Sequence, residues 1–269
     1  MKKLFWILLL MPCICFGQMQ RTSYVGEPFN YVSYTSPANK LWVIIQPGQG
    51  AASYDMTTIG NIGYGRFAQT MVLPFNVLIV QAKKGVEIDN YTPISKGWAD
   101  TFSKLKMSYA IITGYSLGGQ ETIRQLWVDH TGVFIGFIAM CGQYPYGPEA
   151  ELKLPIVSKM PMFLLHGDAD KSISWYQSNT VNTMISKVHQ GQSTMVIVPG
   201  WSHSDAWVKG YDFKSTQQYY GKMVYDFIVS LIPKDPPPIK CDALLDTINK
   251  SAIFVLPDST LYKTTIIKQ

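Results

Sequence analysis

Three short stretches of this chain carry the residue types of nucleophilic catalysis. The first is Gly114-Tyr115-Ser116-Leu117-Gly118-Gly119. It follows the apolar run Tyr109–Thr113 and opens a segment with helical spacing, Gly118–Val128. A serine between glycines at a strand-to-helix turn is the G-x-S-x-G arrangement of an exposed, strained nucleophile. The glycines let neighbouring backbone pass close, and the helix N-terminus turns positive potential toward the reacting oxygen. The second stretch is His166-Gly167-Asp168-Ala169-Asp170, after the apolar Met162–Leu165. Asp168 and Asp170 both qualify as the carboxylate that orients a histidine and stabilises its charged form, and both also suit a turn cap. The third is Pro199-Gly200-Trp201-Ser202-His203-Ser204. His203 lies on a loop after a late strand, a suitable place for a general base. Of the other three histidines, His130 sits at a helix end, where a cation suits the dipole. His166 ends a strand and is expected to order the acid loop, and His189 lies in the polar stretch Lys187–Gln192.

Attack of Ser116 on a carbonyl creates an oxyanion, which needs backbone donors. The N–H of Leu117, next after the serine, is one candidate. The other is expected on the loop after an earlier strand. Leu41–Gln46 runs into Pro47-Gly48-Gln49-Gly50, and Gln49 is the candidate there. Tyr115, Trp175, Trp201 and Trp207 lie beside these loops and are candidate substrate contacts, suited to stacking on sugar rings or aromatic acyl groups. For each one singly, ordinary packing is the plainer alternative. A serine, carboxylate and histidine need neither metal nor cofactor, and the sequence offers no convincing metal-ligand cluster.

The elements that must hold these residues alternate. Apolar, strand-length runs occur at Leu41–Gln46, Phe75–Val80, Tyr109–Thr113, Val133–Met140, Met162–His166 and Met195–Val198. Uninterrupted apolar runs suit strands buried on both faces of a parallel sheet. Gly118–Val128, Gln177–Lys187 and Gln217–Leu231 have helical periodicity. The alternation predicts an α/β domain, a mostly parallel central sheet with helices on both faces. Phe29–Tyr34 alternates and is expected as an antiparallel edge strand. Gln143–Lys159, rich in Tyr and Pro, is the only obvious insertion, so no large cap domain is expected over the site.

The ends read differently. Lys2 and Lys3 precede the apolar run Leu4–Met11, a signal-peptide pattern over residues 1–17, with cleavage after Gly17 leaving Gln18. The run is short for a transmembrane helix, though an uncleaved anchor is the alternative. This predicts a secreted or periplasmic protein with no membrane attachment once the signal is removed. The main domain is expected to span 18–232, followed by a Pro-rich linker at 233–239 and an extension at 240–269 with a short helix candidate and then alternating residues. Cys141 and Cys241 remain after the signal, and their pairing is left open. The net charge is +5 without a basic helix or aromatic-basic stripe, which argues against a nucleic-acid partner.

Taken together, Gly114–Gly119, His166–Asp170, His203 and the Pro47–Gly50 loop resemble the α/β-hydrolase superfamily. They most resemble secreted feruloyl and acetyl-xylan esterases, polyhydroxybutyrate depolymerases and dienelactone hydrolases. The resemblance covers roughly Tyr31 to Ile232. It implies a Ser116–Asp170–His203 triad, because the acid of H-G-x-x-D in that family is the final aspartate. It also implies carboxylic-ester hydrolysis through an acyl-enzyme, with a carbohydrate-linked or polymeric ester as substrate. The chain departs from the family at Gln46, where a histidine is frequent. A peptidase of prolyl-oligopeptidase type and a non-catalytic binding protein of the same fold are the competing expectations.

Overall fold

The computed structural model describes residues 18–26, 29–81, 100–128, 132–144, 160–188, 191–215, 219–234, 244–246, 251–255 and 261–265. The expected signal peptide, His130, His189, Cys241 and most of the Tyr/Pro-rich insertion lie outside these residues, as does most of the linker. Contacts divide the chain into two units between Ile232 and Pro233.

The first unit is built on eight strands: β1 (Gln20–Tyr24), β2 (Asn30–Thr35), β3 (Leu41–Gln46), β4 (Asn76–Gln81), β5 (Tyr109–Tyr115), β6 (Phe134–Met140), β7 (Met162–Gly167) and β8 (Ser193–Val198). Their order across the sheet is β1-β2-β4-β3-β5-β6-β7-β8. β1 and β2 pair antiparallel, as do β2 and β4, and every pair from β4 onward is parallel. The uninterrupted apolar runs explain this choice. Every residue of β3, β4 and β7 is buried, and only a sheet covered on both sides can bury both side-chain directions of a strand.

Two cores result. Val43, Ile45, Ile79, Ile111 and Leu165 face one, closed by Ile59, Ala68, Ala206, Val224 and Ile228. Those come from α1 (Met56–Gly60), α2 (Gly65–Ala68), α5 (His203–Lys209) and α6 (Tyr219–Ser230). Trp42, Ile44, Leu78, Ile112 and Leu164 face the other, closed by Phe102 and by α3 (Leu117–Val128) and α4 (Tyr176–Val188) through Ile123, Val181 and Ile185. The mostly parallel sheet with helices on both faces is the expected architecture.

Two expectations need correction. β2 is not the edge strand, because β1 pairs along its outer side from Gln20↔Thr35 to Tyr24↔Tyr31. β1 reads Gln-Arg-Thr-Ser-Tyr, so it has no apolar alternation to announce it and is held by backbone pairing. In the second unit, the short helix expected after Lys240 is absent from the described residues. Leu244–Asp246 is instead strand β9, and with β10 (Ser251–Val255) and β11 (Leu261–Thr265) it forms an antiparallel sheet ordered β11-β10-β9. Leu244 pairs with Ile253 as a neighbouring antiparallel strand, and three residues are too few for their pattern to tell strand from helix.

The register matters for chemistry. Gln46 lies opposite Gly114, Tyr115 opposite Met140, Met140 opposite Leu165, and Gly167 opposite Val198. The carboxyl ends of β3, β5, β6, β7 and β8 therefore line up along one sheet edge, where open α/β sheets hold their ligands.

Candidate active site

Ser116 leaves the end of β5 with φ +56°, in the left-handed region that a residue with a Cβ enters at a cost. The turn is held on both sides. Its N–H donates to Met140 O at 3.0 Å, and its C=O accepts Gln120 N at 3.0 Å as α3 begins. The flanking glycines are sterically required. A Cβ on Gly118 would overlap Gln46 O, and one on Gly114 would overlap Gly118 O and come within 2.8 Å of Gln46 O. The elbow thus packs backbone-on-backbone against the end of β3.

His203 is the first residue of α5. Asp205, in the first turn, fixes this start by accepting Ser202 N at 2.8 Å and Ser202 Oγ at 2.7 Å. Lys209 lies 2.8 Å from the other Asp205 oxygen, and these contacts lower the Asp205 carboxyl to about 2. From this position His203 reaches two partners. Its Nδ1 donates to Asp170 Oδ2 at 2.7 Å, and its Nε2 accepts from Ser116 Oγ at 2.9 Å. An ionised carboxylate only accepts, which fixes the proton on Nδ1 and leaves Nε2 free to take one.

Asp170 is the aspartate that meets the histidine. Burial pushes its carboxyl upward, but N–H bonds from Ile173 (2.9 Å) and Ser172 (2.8 Å), with the His203 bond, outweigh it and hold it below the usual carboxylate range. Asp168 does something else. Its Oδ1 accepts Gly200 N at 2.6 Å, tying the loop after β7 to the loop after β8. His166 orders the acid loop from beneath, with Nε2 donating to Ile173 O at 2.9 Å and Nδ1 accepting from Ser178 Oγ at 2.8 Å. Burial lowers its pKa and favours the neutral ring, so its 3.2 Å approach to Asp170 is not an ion pair.

Of the two expected oxyanion donors, Leu117 follows Ser116 in the chain and Gln49 lines the same cleft as Ser116. Leu117 opens α3 and Gln49 opens a 3₁₀ turn, Gln49–Ser53, positions where an N–H has no acceptor within its own helix. Gly48 lets this turn approach, since a Cβ there would come within 2.9 Å of the Tyr115 ring and 3.4 Å of Ser116 Cβ. The turn has a support that sequence reasoning missed. Gln81, buried at the end of β4, donates through Nε2 to Ala51 O (2.9 Å) and Tyr54 O (2.6 Å), while its Oε1 accepts from Asn30 (3.2 Å). A glutamine closing an apolar run is the only signal it leaves in the sequence.

A cleft of about 230 Å³ opens over this arrangement, lined by Gly48, Gln49, Gly50, Ala51, Tyr54, Tyr115, Ser116, His203 and Trp207. Of the four aromatic residues expected at the substrate, Tyr115 and Trp207 are here, stacked with ring centroids 5.3 Å apart. Trp175 and Trp201 do not line it. Trp201 turns into the core and packs edge-on against Tyr220, and Trp175 stacks on Tyr176 at 3.9 Å. Tyr54 lines the cleft without having been expected.

Strands in this order, with a left-handed serine after β5, an acid after β7 and a histidine after β8, decide the architecture. The chain has the α/β-hydrolase fold. Solved hydrolase structures agree. A thermostable esterase superposes with a TM-score of 0.57 at 14% identity over 79% of this chain, which spans 63% of that protein. A predicted CIB-like hydrolase from Thermoplasma acidophilum gives 0.55 at 14% identity, covering 80% of this chain and all of that one. Est1E from Butyrivibrio proteoclasticus gives 0.55 at 12% identity, covering 78% and 98%. No protein-family model matches the chain, and no curated protein matches it by sequence.

Cys141 lies against the acid and the histidine. It is buried with a free thiol and φ +41°, and its Sγ donates to His203 O at 3.8 Å. Its sulfur and single atoms of Asp170 and His203 lie within 4.8 Å of one another. That trio does not suit a metal: burial pushes the thiol up to about 12, keeping it protonated, and Asp170 and His203 are engaged with each other.

Proposed function

We propose that this chain is a serine hydrolase that cleaves carboxylic esters through an acyl-enzyme. The observation that carries the reading is His203, hydrogen-bonded at once to Ser116 Oγ and Asp170. His203 Nε2 takes the hydroxyl proton as Ser116 Oγ bonds to the ester carbonyl carbon. The carbonyl oxygen becomes an oxyanion, held by the N–H groups of Leu117 and Gln49. Collapse breaks the C–O bond of the leaving alcohol, which receives the proton from His203. Water then repeats the sequence on the acyl-enzyme, giving the acid and free Ser116. Asp170 stays ionised throughout and stabilises the imidazolium.

In this reading the ester is carbohydrate-linked or polymeric, which the aromatic wall of the cleft supports, and the protein is secreted, which the charged-then-apolar start of the sequence supports. The test is labelling by a fluorophosphonate, which reacts with an activated serine. Wild type is expected to label and to release acid from a panel of soluble esters, while Ser116→Ala does neither. Equal labelling of both would overturn the assignment.

A further inference from the structure

Ser116 and His203 stand on different elements, and something must hold those elements at one spacing. His203 opens α5, a helix of only seven residues that ends at Lys209, and Ser116 follows β5. Two polar side chains join these elements beneath the site. Thr113 lies three residues before Ser116, and Tyr211 two residues after α5. Both are fully buried, and Tyr211 Oη meets Thr113 Oγ1 at 3.0 Å.

This bond differs from its surroundings. Thr113 stands between Ile111 and Tyr115 on the β5 face turned toward α5 and α6, and its sheet neighbours are Ile45 and Ile138. Two buried hydroxyls gain modestly from each other, and either one alone costs its lost hydration. Stability would be served as well by two apolar groups of the same shape. What the hydroxyl pair adds is a fixed geometry between two elements.

The tyrosine has little freedom to yield. Its ring packs edge-on against Tyr64 at 5.2 Å, and a Cβ on Gly63 would come within 3.4 Å of it. The chain reaches Tyr211 from α5 through Gly210, where a Cβ would overlap Ala206 O and come within 2.7 Å of Met140 Sδ. So short a helix moves as one piece, and a shift of Tyr211 against Thr113 is carried to His203.

We propose that Tyr211 is a positioning residue: by hydrogen bonding to Thr113 it fixes α5 against β5 and so sets the approach of His203 Nε2 to Ser116 Oγ. This rests on the serine-hydrolase reading of Ser116 and His203.

The experiment compares wild type, Tyr211→Phe, Thr113→Val and the double variant on a soluble ester, with urea titration of each. A displacement of about 1 Å can cost on the order of 10²-fold in turnover, and loss of this bond with the ring still packed is expected to cost about tenfold. Each single variant should lower kcat about tenfold at unchanged KM, and should lower the urea midpoint because one hydroxyl is left alone. In the double variant no hydroxyl is left alone. Its urea midpoint should return toward wild type while kcat stays about tenfold down. Recovery of kcat along with the midpoint would show a pair that serves stability only, and overturns the proposal. Should a single variant fail to fold, the double variant carries the comparison, and a wild-type kcat in it overturns the proposal. A second measurement needs no turnover. The proton resonance of His203 Nδ1–H, identified by its loss in His203→Gln, is expected to move in the double variant. A moved resonance without ester turnover by wild type would sink the hydrolase reading alone. Turnover by wild type with an unmoved resonance would sink the positioning role alone.

Discussion

Asp168 accepts the backbone N–H of Gly200 at 2.6 Å, although it stands only two residues from the aspartate that meets His203. Two carboxylates in one five-residue motif thus have separate tasks, one joining loops and one facing the histidine. Asp170→Asn is expected to cut kcat by on the order of 10⁴-fold, because an amide no longer fixes the imidazole tautomer. Asp168→Ala removes a partly solvated charge-assisted bond and is expected to cost about 1 kcal/mol, a fall of about 2–4 °C in Tm, with a much smaller change in kcat. The opposite ranking in kcat, with both variants folded, would exchange the roles.

Strain at the elbow gives a second test. Ser116 holds φ +56°, which a glycine adopts freely. Ser116→Gly and Ser116→Ala both lack the hydroxyl, but only the first relieves the backbone. Ser116→Gly is expected to be more stable than Ser116→Ala by roughly 1 kcal/mol in urea titrations. No difference between them would mean that the turn stores no strain.

What was legible in the sequence was what is written locally. β3 begins and ends where its apolar run does, and the glycines around Ser116 announce a close approach that the Gln46 carbonyl supplies. Asp168 and Asp170 could not be separated by local chemistry, since both follow the same strand; only the three-dimensional path of their loop parts them. β1 was illegible because pairing through the backbone places no demand on side chains. Trp201 and Trp207 look alike in sequence, six residues apart. One turns into the core and the other into the cleft because Trp207 lies one helical turn beyond His203. Gln81 and Tyr54 meet through contacts 27 residues apart, which no periodicity reveals.

Gln81 supports the turn that carries Gln49, so its loss should act on turnover. Gln81→Leu leaves the Ala51 and Tyr54 carbonyls without their donor and frees the turn to shift. A donor lost outright from an oxyanion hole costs on the order of 10²–10³ in kcat, and a displaced one is expected to cost about tenfold. Steady-state kinetics on a soluble ester, with circular dichroism as the folding control, reads this. Unchanged kcat in a folded variant would remove Gln81 from the positioning of the site.

Acid should act on the histidine's supports. Asp170 and Asp205 both hold their protons more weakly folded than unfolded, Asp205 at about 2. A depressed carboxyl contributes stability that is fully present above the unfolded value, about 4, and is lost as pH falls through the folded one. Between about pH 4 and pH 2 the protein is therefore expected to lose stability, with a lower hydrogen-exchange protection factor over His203–Lys209. Asp205→Asn should flatten that dependence. A protection factor in the helix that ignored both pH and the substitution would show that Asp205 does not secure it.

The polar character of β1 also bears on what the molecule does in company. The sheet ends there in Gln20, Arg21, Thr22 and Ser23, all exposed. An outermost strand with the Val and Ile of β3 or β4 would present unpaired amides beside sticky side chains, a template for recruiting another chain into a growing fibril. A charged guanidinium and short hydroxyls at that rim make such recruitment unfavourable. The least conspicuous strand in the sequence thus makes this edge of the sheet a poor template for a further chain.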